Sequence, residues 1–232
     1  MRIGGLQKMS LIDYPGKISA IIFTQGCVWR CGYCHNPELV DPGQFQPALS
    51  QSELLDFLAD RKKLLDGVVI TGGEPTLHPD LIGLIREIKE LGYAVKLDTN
   101  GIFPVRLKEI AEAGLVDYIA MDIKAPPGSY QAVVNAPRFD FKNVLESIEI
   151  IMGSGIDYEF RSTMIDGIHK KKDVISMVNL IKGAKRYYLQ KFRNQGKMLD
   201  QTFKKFRAFT DREMAEMVRL CRPYVENCEA RG

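Results

Sequence analysis

The chain has 232 residues, 45% of them apolar and 26% charged, and a formal net charge of +3. That balance excludes a disordered, collagen-like or coiled-coil protein, and a chain of this length buries enough surface to need no disulfide staples. Apolar runs such as Ile18 to Phe23 are far too short to span a bilayer, and residues 1–10 lack the apolar segment of a secretory signal. A cytoplasmic location away from membranes is therefore expected, with the five cysteines serving as ligands or free thiols.

In chain order, the first predicted strand is Lys17–Phe23, followed by a long irregular stretch from Thr24 to Leu49. Ser50 and Glu53 form a capping box ahead of Leu54, Leu55 and Leu58, which predicts a helix. A strand at Val68–Thr71 precedes a helix in which Leu81, Leu84, Ile85 and Ile88 recur at helical spacing, with Gly92 as its stop. Strands then follow at Ala94–Asp98, Tyr118–Ile123, Tyr158–Thr163 and Arg186–Leu189. Helices are predicted near Val105–Ala113, Asn143–Met152, Asp173–Ile181 and Asp211–Cys221. Each strand is short and largely apolar, as expected of strands covered on both faces. Six strand–helix units predict parallel strands joined by right-handed crossovers, as an open doubly wound sheet or an incomplete barrel. Periodicity does not separate the two, and both place their chemistry at the C-terminal ends of the strands. The reading is one domain over residues 1–232, with a core of about 16–195 and a helical tail of about 210–232.

Charge is unevenly distributed. Residues 170–207 hold twelve Lys or Arg against two acids, whereas residues 1–169 hold sixteen basic and twenty-two acidic side chains, a net of −6. Such a basic segment could meet nucleic acid, a membrane or an acidic protein, or simply be a solvated surface.

The long irregular stretch contains Gln25-Gly26-Cys27-Val28-Trp29-Arg30-Cys31-Gly32-Tyr33-Cys34-His35-Asn36. Three thiolates at this spacing satisfy three irons of a [4Fe–4S] cluster and leave one iron open to a small molecule. A Cys3His zinc site completed by His35 is the competing reading, although His35 directly follows Cys34 and structural zinc favours separated ligands. Cys221 and Cys228 stand apart and read as structural. After the second predicted strand comes Thr71-Gly72-Gly73-Glu74-Pro75, where two glycines permit close backbone approach and a carboxylate could accept bonds from an ammonium group.

Cys27-x3-Cys31-x2-Cys34 with Tyr33 before the last cysteine, followed by Gly72-Gly73-Glu74-Pro75, resembles the signature of the radical S-adenosylmethionine (SAM) superfamily. The resemblance implies a partial (β/α)6 barrel of parallel strands in an α/β fold. Leu11-Ile12-Asp13-Tyr14-Pro15-Gly16, Phe23-Thr24-Gln25-Gly26-Cys27 and Cys34-His35-Asn36-Pro37 are similar to activators of glycyl radical enzymes, above all those of anaerobic ribonucleoside-triphosphate reductase. The likeness implies that Cys27, Cys31 and Cys34 hold the cluster. It also implies that Tyr33, Asn36, Gly72, Gly73, Glu74, Asp98, Asp122, Lys124 and Arg161 bind SAM, with a monovalent cation near Asp98, Thr99 and Asp122. Lys124 and Arg161 are the residues expected at the SAM carboxylate.

By the same likeness the activity is reductive cleavage of SAM to a 5′-deoxyadenosyl radical that takes hydrogen from a glycine of the partner enzyme. A low-potential donor such as flavodoxin or ferredoxin would supply the electron. Lys170, Lys171, Lys172, Lys191 and Arg193 are expected to meet an acidic surface of that partner. Near Gln190-Lys191-Phe192-Arg193 the sequence departs from formate-lyase activators, which have a histidine where Arg193 stands. The alternatives are an activator of another glycyl radical enzyme, a radical SAM enzyme acting on a small molecule such as a deazapurine precursor, and a zinc-bound nucleic-acid module. No aromatic-rich basic motif supports the last.

Overall fold

The computed structural model describes residues 1–232. It contains one eight-stranded sheet: β1 (Ile3–Ser10), β2 (Ser19–Thr24), β3 (Gly67–Gly72), β4 (Ala94–Thr99), β5 (Tyr118–Asp122), β6 (Asp157–Met164), β7 (Arg186–Lys191) and β8 (Asn227–Arg231). The strands lie in sequence order, β1 antiparallel to β2 and every later pair parallel. β1 and β8 do not pair with each other, so the sheet stays open.

The helices are α1 (Pro37–Val40), α2 (Gln51–Asp60), α3 (Leu81–Glu90), α4 (Pro104–Glu112), α5 (Tyr130–Val134), α6 (Phe141–Gly153), α7 (Lys171–Leu180) and α8 (Asp211–Cys221). The capping box of Ser50 and Glu53 forms as expected, each residue satisfying the other's orphan donor at the start of α2. α3 buries Leu81, Leu84, Ile85 and Ile88, the stripe read from its spacing.

Because successive strand residues face opposite sides, the sheet has two unlike surfaces. Ala20, Ile22, Val68, Ile70, Val95 and Leu97 join the 52-residue core. The other face starts with a small apolar floor of Tyr14, Ile21, Val69 and Tyr118 and becomes polar toward the strand ends, where Lys96, Asp98, Asp122, Glu159 and Arg161 stand.

The predicted six strands are β2 to β7. Two edge strands are additional. β1 carries Gly4, Gly5, Gln7 and Lys8 with only its ends buried, and β8 buries only Cys228, so neither has the apolar pattern of a covered strand. The tail is correspondingly not helical throughout. α8 ends at Cys221, ahead of Pro223, and the Glu226 and Asn227 amides donate to Ala184 and Lys185 to start β8 along β7. Cys221 and Cys228 lie buried where α8 and β8 face each other.

Candidate active site

The irregular stretch after β2 is fixed from three sides. The Gly26 amide donates to the Leu39 carbonyl at 2.7 Å, and the Glu74 amide donates to the Gly26 carbonyl at 2.8 Å. The Leu199 and Asp200 amides, in the segment after β7, each donate at 2.9 Å to the Cys34 and Gly32 carbonyls. Phe203 of that segment covers Gly32 so closely that a Cβ there would collide with its ring. This strap was not visible in the sequence, because nothing local in residues 198–203 indicates a partner 165 residues earlier.

Gly72 and Gly73 are needed for contact between two backbone segments. Gly72 has φ +115°, and a Cβ on either residue would strike backbone of Thr24 or Gly26. The β3 turn thereby lies directly against the cysteine loop.

All of the site residues singled out from the sequence line one cavity of ≈ 250 Å³ at the C-terminal ends of β2 to β6. Cys31 is buried, and Cys27 and Cys34 are half-buried. Burial pushes the Cys27 thiol up to about 12 and the Cys31 thiol up to about 11, so a metal that takes them as thiolates displaces protons. Asn36 heads α1 without capping it through its side chain. The Trp29 indole N–H and the Tyr33 hydroxyl are buried without a partner, and both residues line this cavity.

Glu74 is tied to the protein itself as well as lining the cavity. It is 0% exposed. Oε1 accepts from the Thr76 amide at 3.1 Å, from the Thr76 hydroxyl, and from the Thr99 hydroxyl at 2.8 Å; Oε2 accepts from the Asn100 amide at 2.7 Å. Burial raises its carboxyl despite these four donors. The side chain thus clamps the β3 turn to the β4 turn, and the ammonium contact read from the motif has to compete with four protein donors. Glu74→Ala is expected to lower stability by about 3 kcal/mol or more, since each donor left buried and unpaired costs roughly 1–3 kcal/mol. Urea unfolding of the metal-free protein checks this, and an unchanged midpoint would contradict the clamp.

Beside the clamp lies an ion network. Arg161 donates from Nη1 to Asp98 Oδ2 and from Nε to Asp122 Oδ1, both at 3.0 Å. Lys124 Nζ donates to Asp122 Oδ2 at 2.8 Å, and Lys96, 2% exposed, pairs with Asp98 Oδ1. Strand register explains the grouping: Lys96 and Asp98 share one face of β4, and Asp122 sits directly opposite Arg161 across β5 and β6. Three cations against two carboxylates leave one positive charge uncompensated. Burial alone would raise both aspartates, but Arg161 and Lys96 hold Asp98, and Lys124 and Arg161 hold Asp122, below the ordinary carboxylate range. Their stabilising effect is therefore complete above an unfolded aspartate's value of about 3.9 and is lost as pH falls below it. Metal-free Asp122→Asn is expected to show a shallower loss of stability between about pH 4 and pH 2 than the parent, measured by denaturant midpoints.

The oxygens near which a monovalent cation is expected are paired within the chain. Every oxygen of Asp98 and Asp122 already faces a guanidinium or ammonium group, and the Thr99 hydroxyl is turned to Glu74. Lys96 was missed by the sequence reading. A lysine in the middle of an apolar strand, two residues before an aspartate on the same face, was the available signal.

The zinc reading fails on His35. Its ring is exposed and its Nδ1 lies 3.1 Å from the Lys197 carbonyl. The three cysteines line the cavity, and no three His, Cys, Asp or Glu side chains are gathered to hold a single ion. A multi-iron cluster takes its thiolates at separate corners, so donor set and cavity fit that group.

Residues 21–181 match the family model described as Radical SAM superfamily. The chain belongs to the radical SAM superfamily. It is 32% identical over 232 residues to a putative glycyl-radical enzyme activating enzyme of Methanocaldococcus jannaschii, with 97% of this chain and 93% of that one covered. A pyruvate formate-lyase-activating enzyme of Clostridium pasteurianum is 30% identical over 191 residues, covering 79% of this chain and 77% of the relative. Within the superfamily the chain thus groups with the glycyl-radical enzyme activating enzymes, and it is an oxidoreductase-type enzyme. Among solved structures, SuiB of Streptococcus suis bound to S-adenosylmethionine superposes with a TM-score of 0.68 at 15% identity, covering 91% of this chain and 50% of SuiB. The maturase HydG of Carboxydothermus hydrogenoformans superposes with a TM-score of 0.60 at 15% identity, covering 88% of this chain and 52% of HydG. Both share the radical SAM fold. Radical SAM membership carries with it a [4Fe–4S] cluster and SAM.

Part of the basic segment is paired with acids of the chain itself. Lys171 pairs with Glu216, Lys191 with Asp211 at 2.7 Å, and Arg207 with Glu213 at 2.8 Å and Asp166 at 2.6 Å. The acids involved include Asp211, Glu213 and Glu216 of α8. No helix is long and apolar enough to cross a membrane.

Proposed function

We propose that this chain is an activase that places a radical on a glycine of a partner polypeptide, and that the partner is an anaerobic ribonucleoside-triphosphate reductase. The observation that carries the reading is the meeting of three cysteines with Lys124 and Arg161 at one cavity. On this reading Cys27, Cys31 and Cys34 hold a [4Fe–4S] cluster, and Lys124 and Arg161 face the SAM carboxylate. Tyr33, Asn36, Gly72 and Gly73 line the rest of the SAM site. Asp98, Asp122 and Glu74 keep those groups in position. A reduced cluster held there would supply the one electron for reductive cleavage of SAM to methionine and a 5′-deoxyadenosyl radical. The chain orients the carboxylate, keeps water from the thiolate side through buried Trp29 and Tyr33, and moves no proton.

Access for a polypeptide is supported by a second, open concavity of ≈ 650 Å³ that shares Arg161, Thr163 and His35 with the first cavity and is bounded by Ile12 and Arg193. The target assignment rests on the motifs around Asp13, Cys27 and Asn36. A formate-lyase-like partner agrees equally with the relatives. A flavodoxin or ferredoxin is proposed as the electron source. Among the basic residues considered for docking, Lys171 and Lys191 are engaged by acids of the chain, whereas Lys170, Lys172 and Arg193 make no ion pair, and of these Arg193 borders the opening.

A small-molecule substrate is a second reading, favoured by the polar lining of the open concavity, which includes Lys96, Glu159, Gln190 and Arg231. The two share a first test. Anaerobically reconstituted protein with SAM and a strong reductant is expected to release methionine and 5′-deoxyadenosine in equal amounts. No cleavage by protein carrying an intact cluster would contradict both.

A further inference from the structure

Asn100 stands next to the cysteine loop with its amide N–H and both ends of its side chain engaged. It is 6% exposed. Its amide N–H donates to Glu74 Oε2 at 2.7 Å, and its side-chain Oδ1 accepts from the Ile102 amide at 3.0 Å. A backbone N–H can only donate, so the contact with Ile102 fixes which end of the side-chain amide is oxygen and turns the NH2 the other way. There Nδ2 meets Cys27 Sγ at 3.8 Å. The Trp29 amide donates to the same sulfur at 3.4 Å. No other side chain donates a hydrogen bond to any of the three cysteine sulfurs.

We infer that Asn100 is a positioning residue that donates a hydrogen bond to the Cys27 sulfur and raises the reduction potential of the cluster proposed to bind there. The inference rests on the cluster assignment above. A thiol is a weak acceptor, but a thiolate on iron is a charged one and holds the N–H donor more strongly. Reduction adds a negative charge that spreads onto the cluster's sulfurs, and a donor aimed at one of them favours the reduced form. Glu74 supports this indirectly. By holding the Asn100 amide, its buried carboxylate fixes the side chain opposite Cys27, which gives the Gly-Gly-Glu-Pro glutamate a role through Asn100.

The test compares wild-type protein with Asn100→Ser and Asn100→Asp, all reconstituted with iron and sulfide. Serine can still accept from the Ile102 amide but is too short to reach Cys27. Aspartate keeps the acceptor and replaces the donor with a negative charge. Iron content and the visible cluster band are measured first, then the midpoint potential by redox titration followed by electron paramagnetic resonance. Both variants are expected to carry the full cluster with a more negative midpoint, the shift being larger for aspartate. Resonance Raman should also show an Fe–S(Cys) stretch that moves in D2O for wild type and moves less for both variants. Full clusters with the wild-type midpoint would overturn the inference. Loss of the cluster from both variants would make Asn100 an assembly residue and also overturn it. A wild-type protein that binds no cluster would instead overturn the reading beneath it.

Discussion

Cys31→Ala is expected to reduce bound iron from about four atoms per chain to nearly none after anaerobic reconstitution. Three thiols line the cavity, and the adjacent side chain with ligand chemistry, His35, has its Nδ1 3.1 Å from the Lys197 carbonyl. With one of three ligands removed, two thiolates remain for a cluster that already leaves an iron without a protein ligand. The fold should persist, because the segment is held by Gly26, Glu74, Leu199 and Asp200 through backbone bonds that do not involve the Cys31 sulfur. Far-ultraviolet circular dichroism should therefore match the parent while the iron-dependent absorbance disappears. An undiminished cluster in this variant would contradict the assignment.

Arg161→Ala is the second large effect. A charged hydrogen bond contributes roughly 1.5–3 kcal/mol, so loss of the guanidinium is expected to weaken SAM binding by about 10- to 150-fold. The structure adds a reason. Removing Arg161 takes the network from three cations and two carboxylates to two and two, which abolishes the uncompensated charge. It also leaves Asp98 and Asp122 without the group that bridges them. Arg161→Lys should recover only part of the affinity, since a point charge cannot meet both carboxylates as the planar fork does. Lys124→Ala should weaken binding as well, with Asp122 still held by Arg161. Calorimetric titration giving wild-type affinity for both alanine variants would remove these residues from the SAM site.

Strands β2 to β7 were legible because each carries buried β-branched, aromatic or other apolar residues in a short run, as in Gly67–Gly72 with Val68 and Ile70 in the core and Val69 buried on the other face. β1 and β8 were not, because edge strands bury little; Cys228 is the one buried residue of β8. The residues of the site were legible as motifs, yet several of their partners were not. Glu74 reaches Thr99 and Asn100 across 25 and 26 positions, and the strap at Leu199–Phe203 closes over Gly32 from the far end of the chain. Such contacts are set by how neighbouring strand ends fall together in the sheet, which no local pattern encodes. The partners of Asp98 and Asp122 show the same limit. Composition supplied the acids, but only the register of β5 against β6 shows Arg161 between them.

The account depends most on transfer of the radical to a protein. Reconstituted chain, SAM and a reductant are mixed without oxygen with the anaerobic ribonucleoside-triphosphate reductase of the same organism, and the mixture is frozen for electron paramagnetic resonance. The predicted result is a doublet from a glycine α-hydrogen that collapses to a singlet when the reductase is grown with α-deuterated glycine, and that is absent with Cys31→Ala. Release of 5′-deoxyadenosine without any radical on the reductase would contradict the account.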